Sequence, residues 1–448
     1  MSHRSRAIGL LAFALIGALV VVGGVAASGA TEPAPAEARS GARQRSSPAP
    51  SATAATAQRD ADVAFWQARV EDEGGILSTL HLVDALIERA RAAGDLADLG
   101  RASAALDRLE DDAPPTDPDV LERCGRIAFA LHDFRAARQA AEAVLDSEHS
   151  NAGALALLGD ASLELGDITS ADAAYARLAE AGEGPAVLSR LARRAWLGGE
   201  VDEAEDLVGR AIDAAVLIGS DDERAFYNYQ LAEMLRWRNA LTDAEAAYRD
   251  ALMHQPDHVP AMGGLARVLE AQGKRAEATE LLERATAQLP SIELVAALGD
   301  LYALDGRDDV AEDQWALAER IAEVGATNGG VHDRQLVLFL ADHERDPDRA
   351  VALARAELET RGDVYGHDAL AWALYHAGDY AEADVHAAKA LALGTPDGRF
   401  HYHAGLIAMA LGRTDEAGEH LERAATLDAA LPPLQVPRLE AALRDLGR

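Results

Sequence analysis

Histidines, adjacent acids and one cysteine are the side chains of this sequence whose types could do chemistry. The closest histidines are His401 and His403, followed by His254 and His258. His401 and His403 stand two residues apart at a predicted helix start, so their side chains point to different faces and do not predict a metal site. His254 and His258 flank a proline in a predicted turn, and we interpret both as solvated.

Adjacent acids such as Asp111–Asp112, Asp221–Asp222 and Asp308–Asp309 fall in predicted turns. We interpret them as solvated charges near helix N-termini, where the helix dipole favours acids, and not as a general acid/base pair. Cys124 is the only cysteine, which excludes an internal disulfide and a cysteine-based zinc site. It adjoins Gly125 at a predicted close contact between helices, so we expect a buried and inert thiol.

Short catalytic motifs are absent from the sequence. It contains no GxSxG, GxxxxGKS/T or HExxH segment, no GxGxxG after a predicted strand, and no EF-hand loop. The repeats described below leave only a leader, a linker and a cap, which is too little for a catalytic domain. We therefore predict a protein that is not an enzyme, with no cofactor and no metal site.

Charge excludes some classes of partner. The 448 residues carry 42 basic and 75 acidic side chains, a formal net charge of −33. Because such a surface repels phosphate backbones and anionic lipids, we predict no nucleic-acid binding and no binding to a membrane surface. With 49% hydrophobic residues, the chain has ample material for a folded core.

The amino-terminal residues 1–30 are typical of an export signal. Arg4 and Arg6 precede an apolar run from Ala7 to Ala27. Its length fits both a cleaved signal peptide and an uncleaved transmembrane anchor, and both alternatives stay open. Either one predicts an exported chain, periplasmic or extracellular, or anchored to the cytoplasmic membrane with the remainder outside. Residues 31–62 are rich in Ala, Pro and Ser and predict a disordered linker.

From residue 63 the chain has an all-helical pattern that repeats about every 34 residues. One alanine column defines the period: Ala102, Ala137, Ala171, Ala204, Ala244, Ala278, Ala311, Ala350, Ala383 and Ala417. A glycine often stands five residues before this column: Gly166, Gly199, Gly273, Gly306, Gly378 and Gly412. The spacing predicts two antiparallel helices per repeat, with the glycine ending the first helix in a left-handed conformation. Asp379 and Glu382 fit a capping box at the start of a second helix.

These columns resemble the tetratricopeptide repeat family over residues 76–431. The resemblance implies a right-handed α-solenoid of about ten helix–turn–helix repeats. One repeat departs from the pattern, because Leu338 stands where a small residue belongs and Glu357 stands near a later alanine column. We expect irregular packing there.

Two repeat spacings are long, with extra residues around 219–222 and 325–330. We interpret them as divisions between an N-terminal repeat block (63–218), a middle block (219–328) and a C-terminal block (329–431). They are either hinges or longer second helices. Residues 432–448 are predicted to form a capping helix over the last repeat.

In the family that the chain resembles, the first helix of each repeat lines a concave groove. Trp, Tyr and Arg anchor many interfaces. The groove positions give a candidate partner-binding set: Arg190, Arg193, Trp196, Tyr229, Arg236, Trp237, Trp372, Tyr375 and Tyr402. Further groove positions are Phe226, Arg267, Phe339, Tyr365, His376 and His403.

The resemblance implies a non-catalytic scaffold that binds a protein or peptide partner in the groove, outside the cytoplasmic membrane. A structural subunit of an envelope or secretion assembly is the first alternative. A polysaccharide-binding protein is the second, because aromatic grooves also stack on sugars. The sequence does not indicate the oligomeric state.

Overall fold

The computed structural model describes residues 52–93, 96–109, 116–327 and 334–448, and over these ranges the chain is all helical. The helices are α1 Ala52–Asp72, α2 Ile76–Ala93, α3 Leu96–Asp107, α4 Pro118–Ala130, α5 Phe134–Ser147, α6 Ala152–Glu164, α7 Ile168–Ala181, α8 Pro185–Leu197, α9 Val201–Ile218, α10 Asp221–Trp237, α11 Leu241–His254, α12 Val259–Ala271, α13 Arg275–Gln288, α14 Ile292–Leu304, α15 Asp308–Thr327, α16 Arg334–Asp342, α17 Pro347–Thr360, α18 Val364–Ala377, α19 Tyr380–Ala390, α20 Gly398–Ala410, α21 Thr414–Ala425 and α22 Val436–Asp445. This architecture confirms the predicted α-solenoid.

The predicted leader, residues 1–30, lies outside the described residues. Of the helices that the structure describes, none combines the length and apolar character needed to cross a membrane. Helix α1 begins at Ala52, so the predicted linker end at residue 62 is wrong. The Ala-rich stretch from Ala52 to Asp62 contains no proline, and alanine has the highest helix propensity.

Helices α2 to α21 form ten consecutive antiparallel hairpins, each pairing an even-numbered first helix with the following second helix. All ten alanines of the defining column are 0% exposed. A side chain of one carbon at this position lets two helix backbones approach closely. The alanine column therefore sets the repeat packing, as the sequence predicts.

The glycine column ends the first helices as predicted. Gly166, Gly199, Gly273, Gly306, Gly378 and Gly412 have φ between +71° and +83°. Asp379 caps α19 by accepting a hydrogen bond from the Glu382 backbone N–H. The other half of the capping box does not form, because Glu382 instead pairs with Arg355 at 2.6 Å.

The two long spacings lengthen second helices. Helix α9 has 18 residues and α15 has 20, whereas α11 and α13 have 14 each. Hydrophobic packing continues across both places: one cluster joins α8, α9 and α10, and another joins α14 and α15 to α16. Of the two sequence alternatives, the structure favours longer helices.

Three single-residue predictions are wrong. Cys124 is exposed, because the close contact is made by its neighbour Gly125 against Ala140 and Leu157. His258 caps α12 by accepting from the Ala261 N–H. His254 contacts Asp221 at 3.0 Å between Nδ1 and Oδ1, so neither histidine is simply solvated.

The superhelix returns on itself after about six repeats and forms a seam between the first and second halves of the chain. At the seam, Arg135 donates to the Glu359 carbonyl at 2.8 Å, and Thr395 donates to the Leu197 carbonyl at 2.8 Å. Gly166 lies directly against the Gly362 carbonyl, where a Cβ atom would clash. The seam thus depends on contacts with backbone carbonyls between residues 196 to 224 positions apart.

The carboxyl-terminal segment completes the closure. Asp428 accepts a hydrogen bond from Asn239 at 2.9 Å, and Gln435 donates to Asp342 at 2.5 Å. Leu439 and Ala442 of α22 are buried with Leu421 of the last repeat. Helix α22 therefore covers the end of the solenoid.

Candidate functional site

The returning superhelix encloses a cavity of about 1120 Å3, called the inner channel here. Most of its wall comes from first helices, namely α2, α4, α8, α10, α12, α14, α16, α18 and α20, with the segment 428–437 at one end. The first helices thus present their side chains inwards. This placement makes the inner channel the candidate site.

The nine predicted partner-binding residues divide into two groups. Five line the inner channel: Arg193, Trp196, Tyr229, Arg236 and Trp237. Four are not part of its wall: Arg190, Trp372, Tyr375 and Tyr402. Of the further groove positions, all except His376 line the channel.

Arg190 is a buried structural residue. Its side chain is 3% exposed and pairs with Asp160 at 3.0 Å. Tyr175 donates its hydroxyl to the same carboxylate at 2.7 Å. The prediction that Arg190 meets a partner is corrected, because its charge is already used between two repeats.

Trp372 and Tyr402 belong to the core, each 1% exposed. The Trp372 indole donates to Asp342 at 2.8 Å, and its ring stacks on Tyr375 with centroids 5.1 Å apart. His403 stacks against the indole of Trp372 at 4.2 Å. The prediction that Trp372 and Tyr402 meet a partner is therefore corrected, because both rings pack in a layer between repeats, with Tyr375 half-buried at its edge.

Aromatic rings from both halves of the chain meet at the inner channel. Trp196 and Trp237 have ring centroids 5.7 Å apart, and Trp237 lies 6.4 Å from Tyr365 of the other half. Tyr365 in turn contacts Phe400 at 5.3 Å. These rings form an apolar strip across the seam. The repeat pattern of the sequence does not predict which of these rings meet.

An ion-pair network crosses the seam beside this strip. Glu164 is 0% exposed and pairs with Arg193 and with Arg361, each at 2.5 Å. Arg361 also approaches Asp363 at 3.5 Å, and Arg334 pairs with Asp363 at 2.8 Å. The network joins α6 and α8 of the first half to residues 334–363 of the second.

The charges of this network are strongly coupled. Burial alone would raise the pKa of Glu164, but the positive charges of Arg361 and Arg193 outweigh it and lower the pKa to about 2. Glu357, which pairs with Arg334 at 2.9 Å, has a raised pKa because burial outweighs its arginines. Glu164 is therefore ionised at neutral pH and holds the two arginines together.

Further arginines of the channel are paired with acids two or three residues away in the sequence. Arg236 donates to Glu233 at 2.8 Å and to the Ala429 carbonyl at 3.1 Å. Arg399 pairs with Asp397 at 2.6 Å. The channel wall is thus a mixture of guanidinium groups, carboxylates and aromatic rings, and not a patch of one charge.

Several channel-lining residues carry a buried donor with no hydrogen-bond acceptor within the described part of the chain. They include the indole Nε1 of Trp196 and the Nε of Arg236, and both residues are 2% exposed. Buried polar groups in folded proteins are nearly always hydrogen-bonded. Because these atoms lie behind the channel surface, they do not by themselves indicate a ligand.

Sequence reasoning missed Glu164, Arg334, Arg361 and Arg399. Glu164 and Arg361 meet across the seam and are far apart in the sequence, so the repeat period carries no sign of their pairing. One signal did exist. Glu357 interrupts an alanine column, and the structure buries it against Arg334, so the expected irregular repeat contributes to the charged network.

Two segments match models of the tetratricopeptide repeat family, residues 238–301 and residues 398–431. No curated protein matches the chain in sequence.

Solved structures are similar to this chain at low sequence identity. Yeast Tom70 is 14% identical with a TM-score of 0.38, covering 87% of this chain and 93% of its own. The human IFIT1 dimer with PPP-AAAA is 14% identical with a TM-score of 0.45, covering 83% and 95%. The Pseudomonas aeruginosa pilF protein is 16% identical with a TM-score of 0.39, covering 46% and 91%. Together with the ten hairpins and their buried alanine columns, the family matches identify this chain as an α-solenoid that contains tetratricopeptide repeats.

Proposed function

We propose that this protein is a non-catalytic interaction scaffold that binds an extended polypeptide segment in the inner channel. The observation that carries the proposal is the composition of the channel wall. Arg193, Trp196, Tyr229, Arg236 and Trp237, from first helices of successive repeats, face one enclosed space. Tetratricopeptide repeats commonly serve as protein-binding modules, which supports the same conclusion.

The mixed composition of the channel wall favours a polypeptide as the ligand. An extended peptide offers backbone N–H and carbonyl groups along its length, which suit the carboxylate and guanidinium groups of the wall. The aromatic strip of Trp196, Trp237 and Tyr365 would pack against the peptide's apolar side chains. At about 1120 Å3, the channel is somewhat larger than the usual range for a small-molecule pocket.

Site-specific photo-cross-linking tests this proposal. A photoreactive phenylalanine analogue replaces Phe226, which lines the channel, and the matched control replaces Leu217, which is 89% exposed on α9. We expect cross-links from position 226, in native cells, to one recurrent segment of a partner, and none of that segment from position 217. Equal labelling from both positions, or no partner from position 226, would contradict a peptide in the channel.

We further propose that the protein acts outside the cytoplasmic membrane. Support comes from the sequence, in which Arg4 and Arg6 precede the apolar run from Ala7 to Ala27. An alkaline phosphatase fusion after residue 448 checks this location, since that enzyme is active only after export. An inactive fusion beside an active exported control would contradict the proposal.

A structural subunit is the second candidate function, favoured by one exposed apolar stretch. Val216, Leu217 and Ile218 end the long helix α9 and are all exposed. An apolar run on the outer side suits lateral contact with another subunit. If this role dominates, Leu217→Asp abolishes co-purification with the partner while Trp237→Ala retains it, whereas a channel ligand gives the opposite pattern.

A further inference from the structure

Two histidine pairs occupy equivalent places in the last two repeats. His367 of α18 faces His386 of α19, with the two Nδ1 atoms 2.9 Å apart. His401 of α20 faces His420 of α21, with the two Nδ1 atoms 3.1 Å apart. Each pair joins a first helix to a second helix, and its members are 19 positions apart in the sequence. None of the four lines the inner channel.

The ring geometry of the two pairs is also alike. The centroids of His367 and His386 are 5.1 Å apart with 44° between the ring planes, and those of His401 and His420 are 5.3 Å apart with 37°. All four side chains are half-buried. A geometry that recurs one repeat later is a property of the fold and not an accident of one rotamer.

The nitrogen separations fit two ligands of one metal ion. With metal–nitrogen bonds of about 2.0–2.1 Å, two nitrogens at a right angle lie about 2.9 Å apart, and two at a tetrahedral angle about 3.3 Å apart. The distance of 2.9 Å fits the right angle, and the distance of 3.1 Å lies between the two values. Square-planar or tetragonal coordination by nitrogen and oxygen is typical of Cu(II) and Ni(II).

When both rings of a pair are neutral, their contact is a hydrogen bond. In each neutral pair, one Nδ1–H donates to the other Nδ1. A metal would take both Nδ1 lone pairs once the donating ring moves its proton to Nε2, so binding releases no net proton.

We propose that these two histidine pairs are two binding sites for a square-planar divalent transition metal, Cu(II) in preference to Ni(II) and Zn(II). Each site supplies two imidazole ligands, and water completes the coordination. Within the described residues, no group of three or more His, Cys, Asp or Glu side chains is arranged around a metal position. The sites are therefore open, and their affinity follows the general order in which Cu(II) exceeds Ni(II) and Zn(II).

Nearby cations limit the affinity of each site. Lys389 and Arg423 follow the second-helix histidines by three residues and act electrostatically on His367 and His401. Asp363 and Asp397 act in the opposite direction on the same two histidines. Removing Lys389 should strengthen binding at its own site only.

Copper titration of the full chain tests the proposal. The parent is tag-free protein carrying His3→Ala and Cys124→Ser, because a histidine near an amino terminus binds Cu(II) and an exposed thiol reduces it. We expect calorimetry to give two equivalents of Cu(II) at pH 7, and electron paramagnetic resonance to show two nitrogen ligands for each ion. Zn(II) should bind at least tenfold more weakly.

Matched variants assign the sites. His386→Ala and His420→Ala should each lose one equivalent, the double variant should lose both, and His149→Ala, which removes an exposed histidine outside the pairs, should lose none. Lys389→Met should tighten one equivalent. His386→Gln and His420→Gln repeat the measurement if the alanine variants unfold at a lower temperature. A parent that takes up no Cu(II), or a double variant that still binds two equivalents, would overturn the proposal.

Discussion

The interfaces between successive repeats and the seam between the two halves depend on different contacts. Repeat packing rests on the alanine column, for example Ala278 and Ala311, whose side chains are fully buried and uncharged. The seam rests on ion pairs around Glu164 and on backbone contacts at Gly166. The comparison teaches that local stacking and long-range closure of one solenoid can be perturbed separately.

Glu164→Ala should break the seam with the largest effect. It leaves Arg193 and Arg361 without their shared carboxylate, and removing one partner of a buried pair costs about 3–5 kcal/mol. Small-angle scattering should show a larger radius of gyration, while circular dichroism shows unchanged helix content. Glu142→Ala, which removes a mostly exposed partner of Arg138, should cost at most about 0.5 kcal/mol. A simultaneous loss of helix would show that seam and repeats are one cooperative unit.

Acid should open the seam before it unfolds the repeats. The pKa of Glu164 is lowered from 4.5 to about 2, so its contribution to stability is complete above pH 4.5 and is lost as the pH falls through 2. The alanine columns do not titrate. Scattering and circular dichroism, recorded from pH 7 to pH 2, should show expansion at a higher pH than helix loss. If expansion and helix loss occurred at the same pH, the seam and the repeats would not open separately.

A larger side chain in the alanine column should disturb the repeats and spare the seam. Ala278→Leu forces extra methyl groups between two helices and should cost about 1–3 kcal/mol. Ala276→Leu, two residues away and exposed, is the matched control and should change stability little. Urea unfolding followed by circular dichroism measures both. Equal free energies of unfolding for the two variants would mean that the alanine column accommodates a larger side chain.

Asp379→Ala should have the smallest effect. It removes the cap that accepts the Glu382 N–H, which typically costs about 1 kcal/mol of helix stability. Asp379→Asn keeps an acceptor and should recover most of the loss. Thermal unfolding gives the difference, and an unchanged radius of gyration in both variants would confine the effect to one repeat.

The repeat packing could be predicted from the sequence and the seam could not, and the reason lies in the contacts that each depends on. A fixed period requires the same small residue at each turn of the solenoid, so ten alanines and six glycines were sufficient to predict the hairpins. The seam joins residues such as Glu164 and Arg361, whose separation depends on the accumulated superhelical rotation. Small changes in the rotation at each repeat interface add up over six repeats, and no local sequence pattern specifies the total rotation.

The candidate site could likewise be predicted only in part from the sequence. Arg193, Trp196, Tyr229, Arg236 and Trp237 were predicted because the family's groove positions carry over repeat by repeat. Trp372 and Tyr402 occupy equivalent positions, yet the structure buries them because the C-terminal segment folds over that part of the groove through Gln435 and α22. Position within a repeat indicates which way a side chain points, and only the closure decides whether solvent reaches it.

The contacts at Arg236 with Ala429 and at Gln435 with Asp342 also have a kinetic consequence. A polypeptide threaded through a closed loop of helices leaves only by sliding along its length or by waiting for the loop to part. Its residence time then depends on the bulk of its ends as well as on its affinity. A scaffold of this shape can retain a weakly bound polypeptide because the closed loop of helices blocks its sideways escape.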